Sequence, residues 1–561
     1  MKTKALFCFL SVLILLAAGC SLDSSGEGPR VYRKDLSLAD LGLSGDGGAG
    51  SESSSVFVVK VNKTNRNIPR GATGRAYPAE SPAGSQFSVR PSLPGMIPQA
   101  SVSGIFPAAG GETVVRYDHP GARAFNANPP PPDRRLPGGP EIRPLLAPSF
   151  SGVGDPGNFW VENNNGEWVK IPATLQAASN HAEVWVADSN YISGASTTTD
   201  NKITTGQAQA VADKFDVIYG PTTAVFGYEY GGGPSGNGGK DHNLKIQILI
   251  YDIDGDESVS GKPGYVVGYF WAKDYYTQEE LYAWGYNYQT NMAEIFYIDA
   301  HFTDSSPETV YSTLIHEYQH MIHFNEKYLK NGLNSETWYN EMLSMLAEDM
   351  IVDSGNSAHP VKERIPYFLE YYAGTGITDW RSDDKALWSY ANVYAFGAYL
   401  ARNYGGAGLI KAMAENNHVN EASVSAALAS AAANPEVRTF GQALSKYGEA
   451  LIYKDTSGSR ASFNKKADGI IAGITYTFDG FDIMRSNKSA FYSGDYVLSG
   501  SKVNKGPLIY NLKYAFEMFP YSIIVQSSPE WLNVTGPLSI TVEEHPGVEI
   551  HILARPNDPA P

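Results

Sequence analysis

Apolar and polar positions change rhythm several times along this chain. From Phe159 onward short stretches alternate, as in Ala182-Glu183-Val184-Trp185-Val186, with the two-residue period of half-buried strands. A helical pattern follows over 205–219, then a glycine-rich loop at 231–239 and an apolar run at 244–251 that reads as a buried strand. Residues 294–298 predict one more strand. Pro307 and Glu308 stand where a helix begins, since proline suits the first helical turn and an acid suits the positive end of the dipole. Apart from histidines and one glutamate, 309–322 is uncharged and predicts a buried helix. A turn near Asn331-Gly332 leads to a second helical pattern at 338–348, and further helices are expected at 386–404, 409–415, 421–432 and 440–453. From about residue 470 short strands alternate with Gly, Pro and Asn turns, as at 496–498 and 538–542.

Strands first and helices afterwards imply an α+β fold. Upstream, 21–148 lacks sustained periodicity, is rich in Ser, Gly and Pro, and ends in four prolines at 129–132. The expected division is a leader at 1–19, a tether or pro-region with patches of β structure at 20–148, and a sheet-bearing lobe at 149–330 that ends in the buried helix. A helical lobe at 331–465 and a C-terminal β-sandwich-like domain at 466–561 complete it.

The leader changes the expected address. Lys2 and Lys4 precede an apolar stretch at 5–16 that is short for a membrane span, and Ala17-Ala18-Gly19-Cys20 has the form of a lipobox. We therefore expect an exported bacterial lipoprotein held at the outer membrane or cell surface by acyl chains on Cys20. Cys8 leaves with the leader and Cys20 carries lipid, so the mature protein has neither a disulfide nor a thiol nucleophile. A formal charge of −16 argues against nucleic acid as a partner and suits a soluble, monomeric body beyond the anchor.

Chemistry concentrates in the buried helix, where His316-Glu317-Tyr318-Gln319-His320 forms an H-E-x-x-H pentad. Histidines at i and i+4 project from one helix face, so both imidazoles reach a single Zn²⁺, and the intervening glutamate suits the general base for an activated water. A catalytic zinc takes three protein ligands and keeps one position open. Glu341, in the second helical stretch, is the expected third ligand. The metzincin extension would need glycine at 323 and histidine at 326, whereas the chain has His323 and Glu326. His323 is expected to pack nearby rather than to bind. The acidic turn from Asp252 to Ser258 is a Ca²⁺ candidate, but glycine stands fourth and no glutamate twelfth, so a β-turn with solvated acids is the simpler reading. Asp299, at a strand end, is a further acid without an assigned role.

The pentad and the Trp338-Tyr339-Asn340-Glu341 block resemble the gluzincin metallopeptidases, and the wording is closest to the hyicolysin-type family of bacterial neutral zinc peptidases. Supporting pieces are 291–299 before the helix, 152–185 upstream and 390–405 downstream, so the resemblance spans about residues 150–410. It implies a two-lobed, thermolysin-like zincin fold, zinc on His316, His320 and Glu341, and Glu317 as general base and acid. Tyr390 occupies a family-matched position for stabilising the oxyanion, and Tyr394 is the second candidate. Where thermolysin-like enzymes carry an aspartate four residues after the ligand glutamate, this chain has Met345; Glu348, seven residues on, matches the aminopeptidase-like group and is expected to support a ligand. The G-x-M-E-N run of aminopeptidases is absent, which favours an endopeptidase acting on protein or peptide substrates. The strand at 294–298 is the expected edge for an extended peptide to join. The alternative is a non-catalytic surface adhesin or binding lipoprotein on a degenerate peptidase fold, which the intact pentad disfavours.

Overall fold

The computed structural model describes residues 31–43, 53–70, 76–78, 116–131, 152–163, 165–194, 201–253, 264–381, 385–431, 436–484, 506–512 and 515–557. Its first part supplies β1 (Val31–Leu36), β2 (Ser54–Asn62), β3 (Ala76–Pro78) and α1 (Pro120–Ala127). Next come β4 (Pro156–Glu162), β5 (Trp168–Ala178), β6 (Ala182–Ala187), α2 (Thr205–Phe226), β7 (Ile246–Tyr251), β8 (Gly268–Phe270), α3 (Gln278–Ala283) and β9 (Ile295–Asp299). Helices then dominate: α4 (Ala300–Ser305), α5 (Pro307–His323), α6 (Thr337–Ile351), α7 (Pro360–Tyr371), α8 (Ala386–Tyr404), α9 (Gly406–Glu415), α10 (Asn420–Ser430) and α11 (Phe440–Ala450). The last strands are β10 (Ala467–Ile471), β11 (Ile474–Phe478), β12 (Tyr510–Asn511), β13 (Ile523–Ser527), β14 (Leu538–Glu543) and β15 (Val548–Pro556). The fold is mixed α+β.

One six-stranded sheet runs in the order β4-β5-β6-β7-β9-β8. Its inner strands β6, β7 and β9 are parallel and buried along their whole length, which is why 246–251 reads as an unbroken apolar run. The strand expected to offer a free edge is therefore an inner one. β9 is paired on one side with β7 and on the other with β8, so its backbone has nothing left to give a peptide; the edge strand on that side is β8.

Helix α5 packs on β8 and β9, and α2 packs on α5. Gly268 permits the close approach of α5 and β8, since a Cβ there would lie 2.8 Å from Thr313 Cγ2 and from the Tyr297 carbonyl oxygen. Leu314, Ile315, Met321 and Ile322 of α5 are buried, and each contributes about 1.5–3 kcal/mol of apolar burial. That burial holds the polar residues of the same helix in the interior. A π-helical turn at Phe324–Leu329 ends α5, and α6 then packs against both α5 and α8. The contact with α8 is backbone-close at Gly397, where a Cβ would sit 2.7 Å from Met342 Cγ and 2.9 Å from Leu346 Cδ1. Helix α7 has no counterpart in the sequence pattern, because Pro366 interrupts its periodicity.

Two smaller sheets join the first part of the chain to the last, β1-β14-β3 and β12-β13-β2-β15. β2 pairs with β15 from Ser54↔Pro556 to Asn62↔Val548. Alternation splits its side chains between two cores: Phe57, Val59 and Val61 join the helices, while Val56 and Val58 meet Leu36, Trp531, Ile540 and Ile552. Over its described parts, the stretch expected to be a tether thus gives the body an inner strand and a helix. An apolar run at 56–61, buried on both faces, was masked by Ser- and Gly-rich flanks. The leader with Cys20 and the strand expected at 496–498 lie outside the described residues. No helix among the described residues is long and apolar enough to cross a membrane.

Candidate metal centre

Two turns of α5 set the site. His316 and His320 are buried, with ring centroids 4.7 Å apart, and their Nε2 atoms face the same point. Glu341, from the second turn of α6, brings its Oε2 to 3.2 Å from His316 Nε2 and 3.6 Å from His320 Nε2. A fourth group was not anticipated: Asp118 lies with Oδ1 3.6 Å from His316 Nε2 and Oδ2 3.5 Å from His320 Nε2. One donor atom from each of these four residues falls within 4.8 Å of all the others.

The opposite faces of both imidazoles are held by acceptors. His316 Nδ1 donates to Glu348 Oε1 at 2.7 Å, and His320 Nδ1 lies 3.1 Å from Asn340 Oδ1 and 3.0 Å from Ser344 Oγ. A hydrogen on each Nδ1 leaves a lone pair on each Nε2. Four acceptors then converge with no hydrogen between them, an arrangement that only protons or a cation can neutralise. Protons do so in the metal-free chain. Burial disfavours a charged His316, but its hydrogen bonds with Glu341 and Glu348 outweigh this and push it up to about 10. His320 likewise rises well above the usual histidine range, burial being overcome by the charge of Glu341 and by Asp118. Asp118 is held far below the usual carboxylate range, its burial overcome by the hydrogen bond and charge of His320. Two imidazole nitrogens and carboxylate oxygens are the donor set of a divalent zinc ion, and the residues fit one.

Glu317 lies beside the cluster. Its Oε2 accepts the Phe270 N–H of edge strand β8 at 2.8 Å, and burial, helped by the charge of Asp118, raises it to about 7. Glu348 is buried in a denser network, receiving Arg116 Nη2 at 2.5 Å and the Ser312 hydroxyl besides His316. Burial would raise it, but Arg116 and His316 bring it down to about 2.

The remaining expected residues separate cleanly. The Tyr390 hydroxyl is turned towards the cluster and accepts the Asp118 N–H at 3.0 Å and Arg123 Nη1 at 3.4 Å. Tyr394 is occupied elsewhere, donating to Asp349 Oδ2 at 2.9 Å beside Arg402. His323 pairs with Ser335 Oγ at 2.7 Å, away from the cluster. Asp299 is a structural cap, accepting Phe302 N at the start of α4 and Ile253 N. The acidic turn considered for Ca²⁺ lies, from residue 254 onward, outside the described residues. Asp118 left only one sequence signal, the Asp-His-Pro step into a short helix, and that signal points to a turn and says nothing of a metal.

Residues 166–475 match the family Peptidase M30. Over 265 residues the chain is 31% identical to the neutral metalloprotease ShpI of Staphylococcus hyicus, an alignment covering 45% of this chain and 52% of that protein. The chain thus spans about half the length of that relative. His316, Glu317, His320, Glu341, Glu348 and Tyr390 fall inside the matched range, and Asp118 falls outside it.

Proposed function

The chain belongs to the peptidase M30 family, and on that premise we propose that it is a zinc-dependent endopeptidase acting on protein or peptide substrates. The observation that carries this reading is the convergence of His316 Nε2, His320 Nε2 and Glu341 Oε2, with Glu317 alongside. Zinc bound there would polarise the scissile carbonyl and bring the acidity of water close to neutrality. Glu317, aimed by the Phe270 N–H, takes the proton from the attacking water and hands it to the departing amine. Glu348 and Asn340 fix the imidazole tautomers from behind. Tyr390 donates its hydroxyl to the oxygen that gains charge as water adds. An extended substrate joins the β8 edge by backbone hydrogen bonds.

Within this reading the sheet with α5 and the helices from α6 onward are the two lobes of a thermolysin-like zincin, and the C-terminal strands, completed by β1, β2 and β3, form a sandwich-like layer packed on the helices. Acyl chains on Cys20 anchor a monomeric body at the outer membrane or cell surface. A binding protein on a degenerate peptidase fold is not favoured, because no member of the cluster is missing. The test is metal content joined to peptide-library cleavage, run on the wild type and on Asp118→Ala, since Asp118 lies against the cluster. One zinc per chain with cleavage that chelation abolishes supports the proposal. Bound zinc with no cleavage by either protein overturns it.

A further inference from the structure

We propose that Asp118 is a fourth, displaceable metal ligand, and that residues 116–131 are a built-in occupant of the substrate cleft that keeps the enzyme latent. The inference rests on the metallopeptidase reading above. A catalytic zinc site needs one position free for water, and a site closed by four protein ligands is of the structural kind. The Asp118 carboxylate stands at nearly equal distance from both Nε2 atoms, 3.6 and 3.5 Å, and fills the position that the reaction needs.

The same segment occupies the rest of the cleft. Arg116 forms a parallel bridge with Tyr265, and the Tyr117 N–H donates to the Tyr265 carbonyl at 3.1 Å. Further on, Asn126 brackets the end of edge strand β8: its Nδ2 donates to the Phe270 carbonyl at 2.8 Å and its Oδ1 accepts the Ala272 N–H at 2.8 Å. These are the backbone groups that an extended peptide would use, and one of them is the carbonyl of Phe270, the residue whose N–H aims Glu317. The Tyr390 hydroxyl oxygen accepts the Asp118 N–H, which ties the segment to the side chain proposed for the oxyanion. Phe125 seats the segment against the rings of Tyr276, Tyr286 and Tyr288, and the Pro129 and Pro130 carbonyls accept from Tyr328 and Tyr276.

Two observations make the occupant removable. First, Asp118 lies outside 166–475, while the other three ligands lie inside, so the matched family domain carries the site without the segment. Second, withdrawing Arg116 leaves neither of its buried acids alone. Glu363 retains Arg364 Nη2 at 3.2 Å, and Glu348 retains His316 Nδ1 and the Ser312 hydroxyl.

The test reads the open position without requiring hydrolysis. The full chain is loaded with Co²⁺, and acetohydroxamate, a small ligand for an open metal position, is titrated by visible absorption. Asp118→Ala and the isosteric Asp118→Asn should keep one equivalent of metal and bind acetohydroxamate at least about tenfold more tightly than the wild type, as expected for a cleft occupied most of the time. Asn126→Ala, which touches no ligand, should move the wild type in the same direction. Equal affinity in wild type and both Asp118 variants overturns the proposal. Loss of the metal from both variants also overturns it, because Asp118 would then be a permanent ligand. Tighter acetohydroxamate binding without any peptide cleavage would uphold the plug and refute the peptidase reading instead.

Discussion

Glu348→Gln tests how the site is held together. The substitution keeps the size of the side chain and an oxygen for His316 Nδ1, but removes the charge behind the imidazole. It also places an amide where the carboxylate accepts from Arg116 Nη2 at 2.5 Å and from the Ser312 hydroxyl. Loss of such a supporting partner weakens metal affinity by about 10- to 100-fold, which is roughly 1.4 to 2.7 kcal/mol. Because Glu348 is fully buried, no water can make up for the lost charge behind the imidazole, so the upper part of that range is expected. A companion variant separates metal support from network damage. Glu363→Gln removes a charge from the same arginine, whose Nη2 it receives at 2.6 Å, without touching either histidine. It should lower stability by about 1–3 kcal/mol and leave zinc affinity nearly unchanged. Zinc affinity is measured by competition with a chromophoric chelator, and stability by urea unfolding at saturating zinc. The reasoning is refuted if Glu348→Gln binds zinc like the wild type, or if both variants lose affinity equally.

Glu317→Gln should retain zinc while kcat/KM falls at least about a hundredfold, so unchanged peptide cleavage would remove Glu317 as the base. Tyr390→Phe should lower kcat by about a hundredfold with little change in KM, and a change confined to KM would point to substrate packing instead. Gly397→Ala sets about 1 kcal/mol of gained helix propensity against about 1–3 kcal/mol of overpacking, because its Cβ would press on Met342 and Leu346 at 2.7 and 2.9 Å. Net destabilisation is expected in urea unfolding, and net stabilisation would mean that α6 yields there. The metal-free chain should be destabilised as pH rises between the ordinary histidine value of 6.5 and about 10. His316 binds its proton more tightly when folded, so that stability is complete below the lower value and gone above the upper one. A zinc-loaded sample, in which the ion replaces the proton, should show a flatter profile in thermal unfolding between these limits.

Local patterns carried much of this architecture, and long-range pairing carried the rest. Helix α5 was legible because its apolar run and Pro307 are contiguous in sequence, and two ligands on one helix share a fixed spacing. Glu341 was legible for a related reason, since only one short reversal separates α6 from α5. The edge role of β8 was not legible, because it depends on which strands neighbour β9, and a strand of three residues has too little alternation to read. The pairing of β2 was hidden in the same way, because its partner β15 lies at the far end of the chain. Asp118 was not legible as a ligand. Neither its spacing nor its neighbours indicate a ligand, and only the folding of α1 across the cleft brings its carboxylate to α5.

Zinc K-edge anomalous diffraction from crystals of the purified chain would locate the metal itself. One ion per chain is expected, bound to His316 and His320 nitrogens at about 2.0–2.1 Å and to Glu341 oxygen at about 2.0–2.2 Å, with an Asp118 oxygen in the fourth position. An ion found away from these residues, or a Glu341 carboxylate well beyond those distances, would contradict it.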